Sequence, residues 1–185
     1  MKLLQYDIAI LDWLNSHLIP GSTPVLQFVS NFATFFSIVM ALIVLSMAII
    51  KKSKPLFHKT ILIALALILS AIMIQVLKEA FDRERPFMTY PFIEKLSTGG
   101  GSSFPSGHTM EAYAMAMVMS ILFRYKWLIV TVYTWAFLVA YSRLALGVHY
   151  PADVLSGIMV GTLIGWFVPW IYRIFLSHQT SDASE

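Results

Sequence analysis

Apolar runs of bilayer length dominate this sequence and decide what it can fold into. About twenty apolar residues in a helix cross the hydrocarbon core of a membrane. The runs Val25 to Ile50, Ile61 to Leu77, Thr109 to Phe123, Trp127 to Leu146 and Val154 to Phe175 all approach or exceed that length. They are continuous rather than alternating, which favours helical spans over a barrel. Hydrophobic residues make up 58% of the 185 positions and charged residues only 12%, too little polar surface for a soluble domain of this size. The expected fold is an all-α integral membrane helical bundle with five transmembrane helices, a single domain over residues 1–185. The chain has no cysteine, so disulfides and thiolate metal sites are excluded. A scattered net charge of +3 argues against nucleic acid as a partner and leaves the bilayer itself as the environment.

The first twenty residues read differently. On a helical wheel Leu4, Ile8, Leu11, Leu14 and Leu18 share one face, and Gln5, Asp12 and Ser16 lie opposite, with Asp7 intruding on the apolar side. That pattern predicts an amphipathic helix lying in the membrane interface. It reads as a retained segment rather than a cleaved leader, because Lys2 is the only basic residue at its start and Asp7 and Asp12 interrupt the apolar region.

Five spans put Lys51, Lys52, Lys54, Lys59, Arg124, Lys126 and Arg173 on one side of the membrane. The other side holds Lys2, Lys78, Arg83, Arg85, Lys95 and Arg143. With Lys78, Arg85 and Arg143 set aside for chemistry, the positive-inside rule makes the first group cytoplasmic. The long polar loop from Glu79 to Gly107, with its Gly99–Ser103 tract, then faces outward. This predicts a multi-pass protein of the plasma (inner) membrane with an extracytoplasmic site. Trp127, Trp166, Trp170, Tyr150 and Tyr172 fall near the span ends and read as aromatic belts.

Three polar stretches sit at the outward ends of the spans: Lys78 to Pro86, Phe104 to His108, and Ser142 to Asp153. Cations at the edge of a low-dielectric medium are costly unless an anion neutralises them. Lys78, Arg85 and Arg143 therefore suit a doubly ionised phosphate, which Arg grips in bidentate fashion. Ser106 and Gly107 precede the third span, where backbone N–H groups favour an anion and glycine permits close approach. His149 and Asp153 lie four apart, within reach of a carboxylate–imidazole bond that would fix the tautomer of a nucleophile. His108, at the head of the third span, is placed to donate a proton and later activate water.

With these residues in view, the chain resembles the type 2 phosphatidic acid phosphatase (PAP2) superfamily, which includes bacterial membrane lipid phosphatases and vanadium-dependent haloperoxidases. The family pattern Lys-x6-Arg-Pro, Pro-Ser-Gly-His and Ser-Arg-x5-His-x3-Asp is matched without departure at Lys78 with Arg85-Pro86, at Pro105 to His108, and at Ser142-Arg143 with His149 and Asp153. The resemblance implies a phosphohistidine on His149, His108 as acid and then base, Asp153 as its supporting carboxylate, and no cofactor or required metal. It also implies phosphate binding by Lys78, Arg85, Ser106, Gly107 and Arg143. The implied partner is a phosphorylated lipid. Undecaprenyl pyrophosphate is favoured, because so short a chain leaves little dedicated headgroup-binding structure. Phosphatidylglycerol phosphate, phosphatidic acid and lipid A are the alternatives. Rivals of another class are a lipid phosphotransferase and a non-catalytic membrane transporter.

Other features have plainer readings. His17, His58 and His178 lie outside the motifs and read as ordinary surface residues. Asp82 and Glu84 read as solvated loop acids rather than a metal site. The methionines Met110, Met115, Met117 and Met119 read as bundle packing. Glu111 follows His108 by three positions and shares its helix face. It reads as a structural partner for an Arg or Tyr, with a functional role left open. The Gly99–Ser103 tract is either a lid over the headgroup or slack.

Overall fold

The computed structural model describes residues 2–182 of the chain, with side chains for residues 4–175. Among the described residues eight helices follow one another: α1 Lys2–Ser16, α2 Thr23–Asn31, α3 Ala33–Ile50, α4 Lys54–Phe81, α5 Pro86–Thr89, α6 Gly107–Phe123, α7 Lys126–Ala145 and α8 Pro151–Asp182. There is no strand among the described residues. The chain is an all-helical membrane bundle, as the apolar runs require. α3, α4, α7 and α8 are long and apolar enough to cross a membrane. α6 has 17 residues, about 25 Å at the α-helical rise. It is the fifth helix of the bundle and the central one, packing against α3, α4, α7 and α8.

The first apolar run departs from a single span. It breaks at Phe32, where α2 ends and α3 begins. Ser30 and Asn31 immediately before the break favour alternative side-chain-to-backbone bonding over helix continuation. α3 packs on α4, while α2 leans away onto α7. That tilt carries Ser30 to Arg143, whose Nη1 donates to the Ser30 hydroxyl.

The interior of α6 is built from small and flexible residues. Met110, Ala112, Ala114, Met115, Ala116, Val118 and Met119 are all buried, so the methionine run is packing, as expected. α8 approaches this face through Gly157, Gly161 and Gly165, spaced one turn apart. A Cβ on these residues would lie 2.7 Å from the Ser106 carbonyl, 2.2 Å from that of Met110 and 2.5 Å from that of Ala114. The two backbones therefore touch, as in small-residue packing between membrane helices. This stripe fixes α6, which carries His108, against α8, which carries Asp153.

α1 forms as the amphipathic pattern predicts and packs against α7 and α8. The face it turns to the protein is the leucine face at Ile8, Leu11 and Leu18, with the polar Asp7 and Asn15 set into it. Asp7, Leu11 and Asn15, one turn apart, are buried, while Leu4, Tyr6, Ile10 and Trp13 are exposed. Asn15 donates to the carbonyls of Glu94 (3.1 Å) and Ala145 (2.9 Å) and accepts from the Glu94 N–H (2.7 Å). Leu11 joins Ile93 and Tyr150 in a small core of its own. Tyr150 is thus not part of an aromatic belt: it is buried beneath α1, with the Arg83 guanidinium 3.8 Å from its ring centre. Trp127, Trp166 and Trp170 are exposed, as belt residues would be. His17 lies at the surface, stacked on Trp13, and His58 tilts against Tyr172; the side chain of His178 falls outside the described residues.

Candidate active site

A cavity of about 460 Å³ opens at the end of the bundle away from Lys51 and Arg124. Lys78 reaches it from the last turn of α4, Arg85 from the loop after α4, Gly107 and His108 from the first turn of α6, and Arg143 from the last turn of α7. His149, between α7 and α8, forms its floor, and Gly99 and Gly100 its roof. Glu111, Thr34, Ile74 and Thr98 complete the lining. Three cations and two imidazoles therefore meet the N-terminus of α6 in one space. The larger groove between α4 and α8, about 520 Å³, is lined by apolar side chains and Tyr172, with no charged group among the described residues. It suits hydrocarbon chains rather than chemistry.

Two predicted site residues stand behind the cavity wall. Ser106 is fully buried, and its hydroxyl shares a hydrogen bond with that of Thr109 at 2.8 Å. Asp153 is also fully buried, beneath His149. Its Oδ2 is 3.7 Å from His149 Nδ1, beyond hydrogen-bonding distance. That nitrogen instead lies 2.7 Å from the Ser103 carbonyl oxygen. A carbonyl can only accept, so Nδ1 carries the proton and donates it, leaving the Nε2 lone pair free for reaction. The direct Asp153–His149 bond expected from the four-residue spacing is thus replaced by a backbone contact. Burial pushes the His149 imidazole down to about 4, against the opposing pull of Asp153. The ring is accordingly neutral near pH 7, the form a nucleophile needs.

Asp153 organises what surrounds the histidine. Its Oδ2 accepts from Ser103 Oγ at 2.5 Å and from the Tyr150 N–H at 3.0 Å. The second bond caps α8, whose first helical residue is Pro151. Its Oδ1 accepts from Arg83 Nη1 at 2.7 Å. Arg83 in turn donates through Nη2 to Asp7 Oδ2 at 2.9 Å, and Asp7 Oδ1 accepts from the Ala152 N–H at 2.7 Å. Asp7, the misfit of the N-terminal wheel, is the residue that docks α1 on the site. Sequence reasoning passed over it and over Arg83 because neither falls in a motif. An acid set i, i+4, i+8 with Leu11 and Asn15 was the available signal.

The glycine-rich tract is pinned rather than slack. Arg85 donates through Nε to the Gly101 carbonyl (3.1 Å), through Nη2 to Gly100 (3.0 Å) and through Nη1 to Val148 (3.0 Å). Ser103 N–H donates to the Arg83 carbonyl at 2.7 Å. Arg85 spends three of its five N–H bonds here and keeps two for a ligand. Gly147, four residues past Arg143, has φ +70°, and a Cβ there would lie 2.3 Å from the Glu94 carbonyl. Only glycine makes this turn, which swings His149 back under the cavity. Asp82 ends α4 in the left-handed conformation, and Glu84 accepts from Thr89. No three His, Asp or Glu side chains gather as a metal site would require, among the described residues.

Comparison with known proteins accords with this geometry. The chain is 35% identical over 99 residues to the lipid A 4'-phosphatase of Bacteroides thetaiotaomicron, covering 54% of this chain and 44% of that protein. It is 28% identical over 151 residues to the bacitracin transport permease protein BcrC of Bacillus licheniformis, covering 80% and 70%. It is also 38% identical over 87 residues to phosphatidylglycerophosphatase B of Haemophilus influenzae, covering 43% and 34%. The match spans less than half the length of the lipid A 4'-phosphatases. Two crystal structures share the fold at 24% identity. The PAP2-type phosphatidylglycerolphosphate phosphatase of Bacillus subtilis has a TM-score of 0.77, covering 93% of this chain and 87% of that one. LpxE of Aquifex aeolicus has a TM-score of 0.74, covering 86% and 92%. The PAP2 superfamily model matches residues 59–176, nearly two thirds of the sequence and every residue of the cavity except Thr34: the chain belongs to the PAP2 superfamily.

Proposed function

We propose that this protein is a membrane lipid phosphatase that removes a terminal phosphate at the extracytoplasmic face of the plasma membrane through a phosphohistidine on His149. The observation that carries the reading is the meeting of Lys78, Arg85, Arg143, His108 and His149 in one cavity at the end of the bundle away from Lys51 and Arg124. The phosphate sits among the three cations and the N-terminal N–H groups of α6, which neutralise its charge. His149 Nε2 attacks phosphorus in line, and the bond to the lipid oxygen breaks. The proton of His108 goes to that oxygen. Charge on the equatorial oxygens is stabilised by the same cations, already held in place before reaction. Water, deprotonated by His108, then attacks the phosphohistidine and releases inorganic phosphate. The seven cations at the opposite end support the outward orientation of the cavity.

Substrate identity is the finer part of the proposal. Relatives of the chain divide among lipid A, phosphatidylglycerol phosphate and undecaprenyl diphosphate, so all three are candidate substrates. The test is phosphate release by the purified protein in detergent micelles from these lipids and phosphatidic acid, with His149→Ala beside the wild type. Release that vanishes in the variant is expected. Release that persists undiminished removes His149 as nucleophile, and release from no lipid overturns the phosphatase.

A further inference from the structure

Among the described residues, Glu111 is the only acidic side chain that lines the cavity. It stands one turn beyond His108 on α6, about 4.5 Å farther along the helix toward the membrane interior. Its Oε2 accepts from Thr34 Oγ1 of α3 at 2.8 Å. Thr34 is exposed on the surface of the bundle, so this side of the cavity faces the lipid. No basic side chain lies within ion-pair distance of Glu111 among the described residues. The three cations line the phosphate end of the same space. The lining is therefore polarised: three cations and two imidazoles, and one hydroxyl-held carboxyl a turn deeper along α6 than His108.

We propose that Glu111 is a specificity-determining residue that accepts a hydrogen bond from a hydroxyl or N–H on the leaving group. It thereby selects phosphomonoesters of sugar- or glycerol-type headgroups against lipid diphosphates. This rests on the phosphatase reading above and narrows its substrate class. In a diphosphate, the group beside the breaking bond is a second phosphoryl, an acceptor-only anion set against a carboxylate. In a monoester of a polyol, the same position offers a donor. A site polar group matched to a substrate hydroxyl rejects analogues that lack it, because the buried acceptor is left unpaired.

The experiment compares kcat/KM for three probes in micelles. Phosphatidylglycerol phosphate carries a hydroxyl beside its phosphate, phosphatidic acid has no donor there, and undecaprenyl pyrophosphate has a second phosphoryl. The wild type is expected to prefer the first. Glu111→Leu removes the acceptor and should lower kcat/KM for phosphatidylglycerol phosphate at least tenfold, leaving phosphatidic acid within about twofold. Glu111→Gln removes the charge at constant shape and should raise undecaprenyl pyrophosphate turnover about tenfold. Thermal unfolding in detergent at the wild-type midpoint shows that both variants remain folded. Equal losses on all three probes would make Glu111 a structural partner of α3 and overturn the inference, as would no change on any. A wild type that releases phosphate from none refutes the phosphatase reading, and the inference falls with it. A wild type that prefers the diphosphate refutes the inference alone.

Discussion

Removing Asp7 tests whether a helix outside every motif positions Asp153 and the proposed nucleophile His149. Asp7 is buried, accepts the Ala152 N–H at 2.7 Å and accepts from Arg83 at 2.9 Å. Asp7→Ala leaves an N–H of the first turn of α8 without its acceptor, a loss of about 1 kcal/mol by analogy with helix N-caps. It also removes a charge-assisted bond, worth roughly 1.5–3 kcal/mol when buried. The Arg83 side chain is 26% exposed, so water replaces part of this, and about 1 kcal/mol is the fairer figure. Together the two losses come to about 2 kcal/mol of stability. The effect on catalysis runs through Arg83. Freed from Asp7, its whole charge falls on Asp153, which would then offset less of the positive charge developing on His149 in the proposed attack. About 1.4 kcal/mol lost there is tenfold in kcat. KM should hold, because neither Asp7 nor Arg83 lines the cavity. Asp7→Asn retains an acceptor for Ala152 and should recover about half the stability but not the rate. The assays are thermal unfolding in detergent and steady-state phosphate release. A kcat within twofold of wild type, or a raised KM at constant kcat, would show that α1 is only a structural brace.

Gly161→Val should disable the protein more severely than most surface changes, because its Cβ would meet the Met110 carbonyl at 2.2 Å and drive α8 off α6; wild-type activity and melting would contradict the close packing. His149 is held neutral in the fold at about 4 against an ordinary value near 6.5. The unfolded chain therefore binds the extra proton between those values, and stability present above pH 6.5 is lost as pH falls toward 4, by about 3 kcal/mol in all. His149→Gln should flatten that part of the denaturation-midpoint profile, and an unchanged slope would mean the imidazole is not buried neutral. A Cβ at Gly100 would meet no atom within 4 Å, so Gly100→Cys should be tolerated and labelled by an impermeant maleimide from outside the cell. Labelling only after permeabilisation would invert the orientation.

The bundle was legible because lipid demands it: five apolar runs admit helices and little else, and the motif spacings put Lys78, Arg85, His108, Arg143 and His149 at one end. What the sequence concealed depends on which face a helix turns inward. A wheel ranks residues by hydrophobicity, but a docked helix can bury polar residues among its leucines where partners meet them, as Asp7 and Asn15 do beside Leu11 here. The break at Phe32 was hidden because Ser30 and Asn31 are two polar residues inside a long apolar run, and their meaning appears only once Ser30 meets Arg143. Gly157, Gly161 and Gly165 were open to reading as a contact stripe, since their four-residue spacing is a known signature of close helix packing. The Ser103 carbonyl beneath His149 was not, because backbone atoms leave no mark in a side-chain motif.

The position of Asp153 explains how this site is held together. One carboxylate takes bonds from Arg83 in the loop after α4, Ser103 in the glycine-rich tract and the backbone of Tyr150 at the head of α8. Three segments are thus joined through a single fully buried group. Ser103, held by that carboxylate, offers its carbonyl to His149. The histidine is consequently oriented through Asp153 rather than by direct contact with it, and Asp153→Asn should be felt twice. It weakens the charge facing the imidazolium, and it loosens the tract that roofs the cavity. A direct dyad would predict a loss in kcat alone. This arrangement predicts a loss in kcat together with a rise in KM, because Gly99 and Gly100 line the phosphate site. A pure kcat effect, with KM unchanged, would restore the simple dyad.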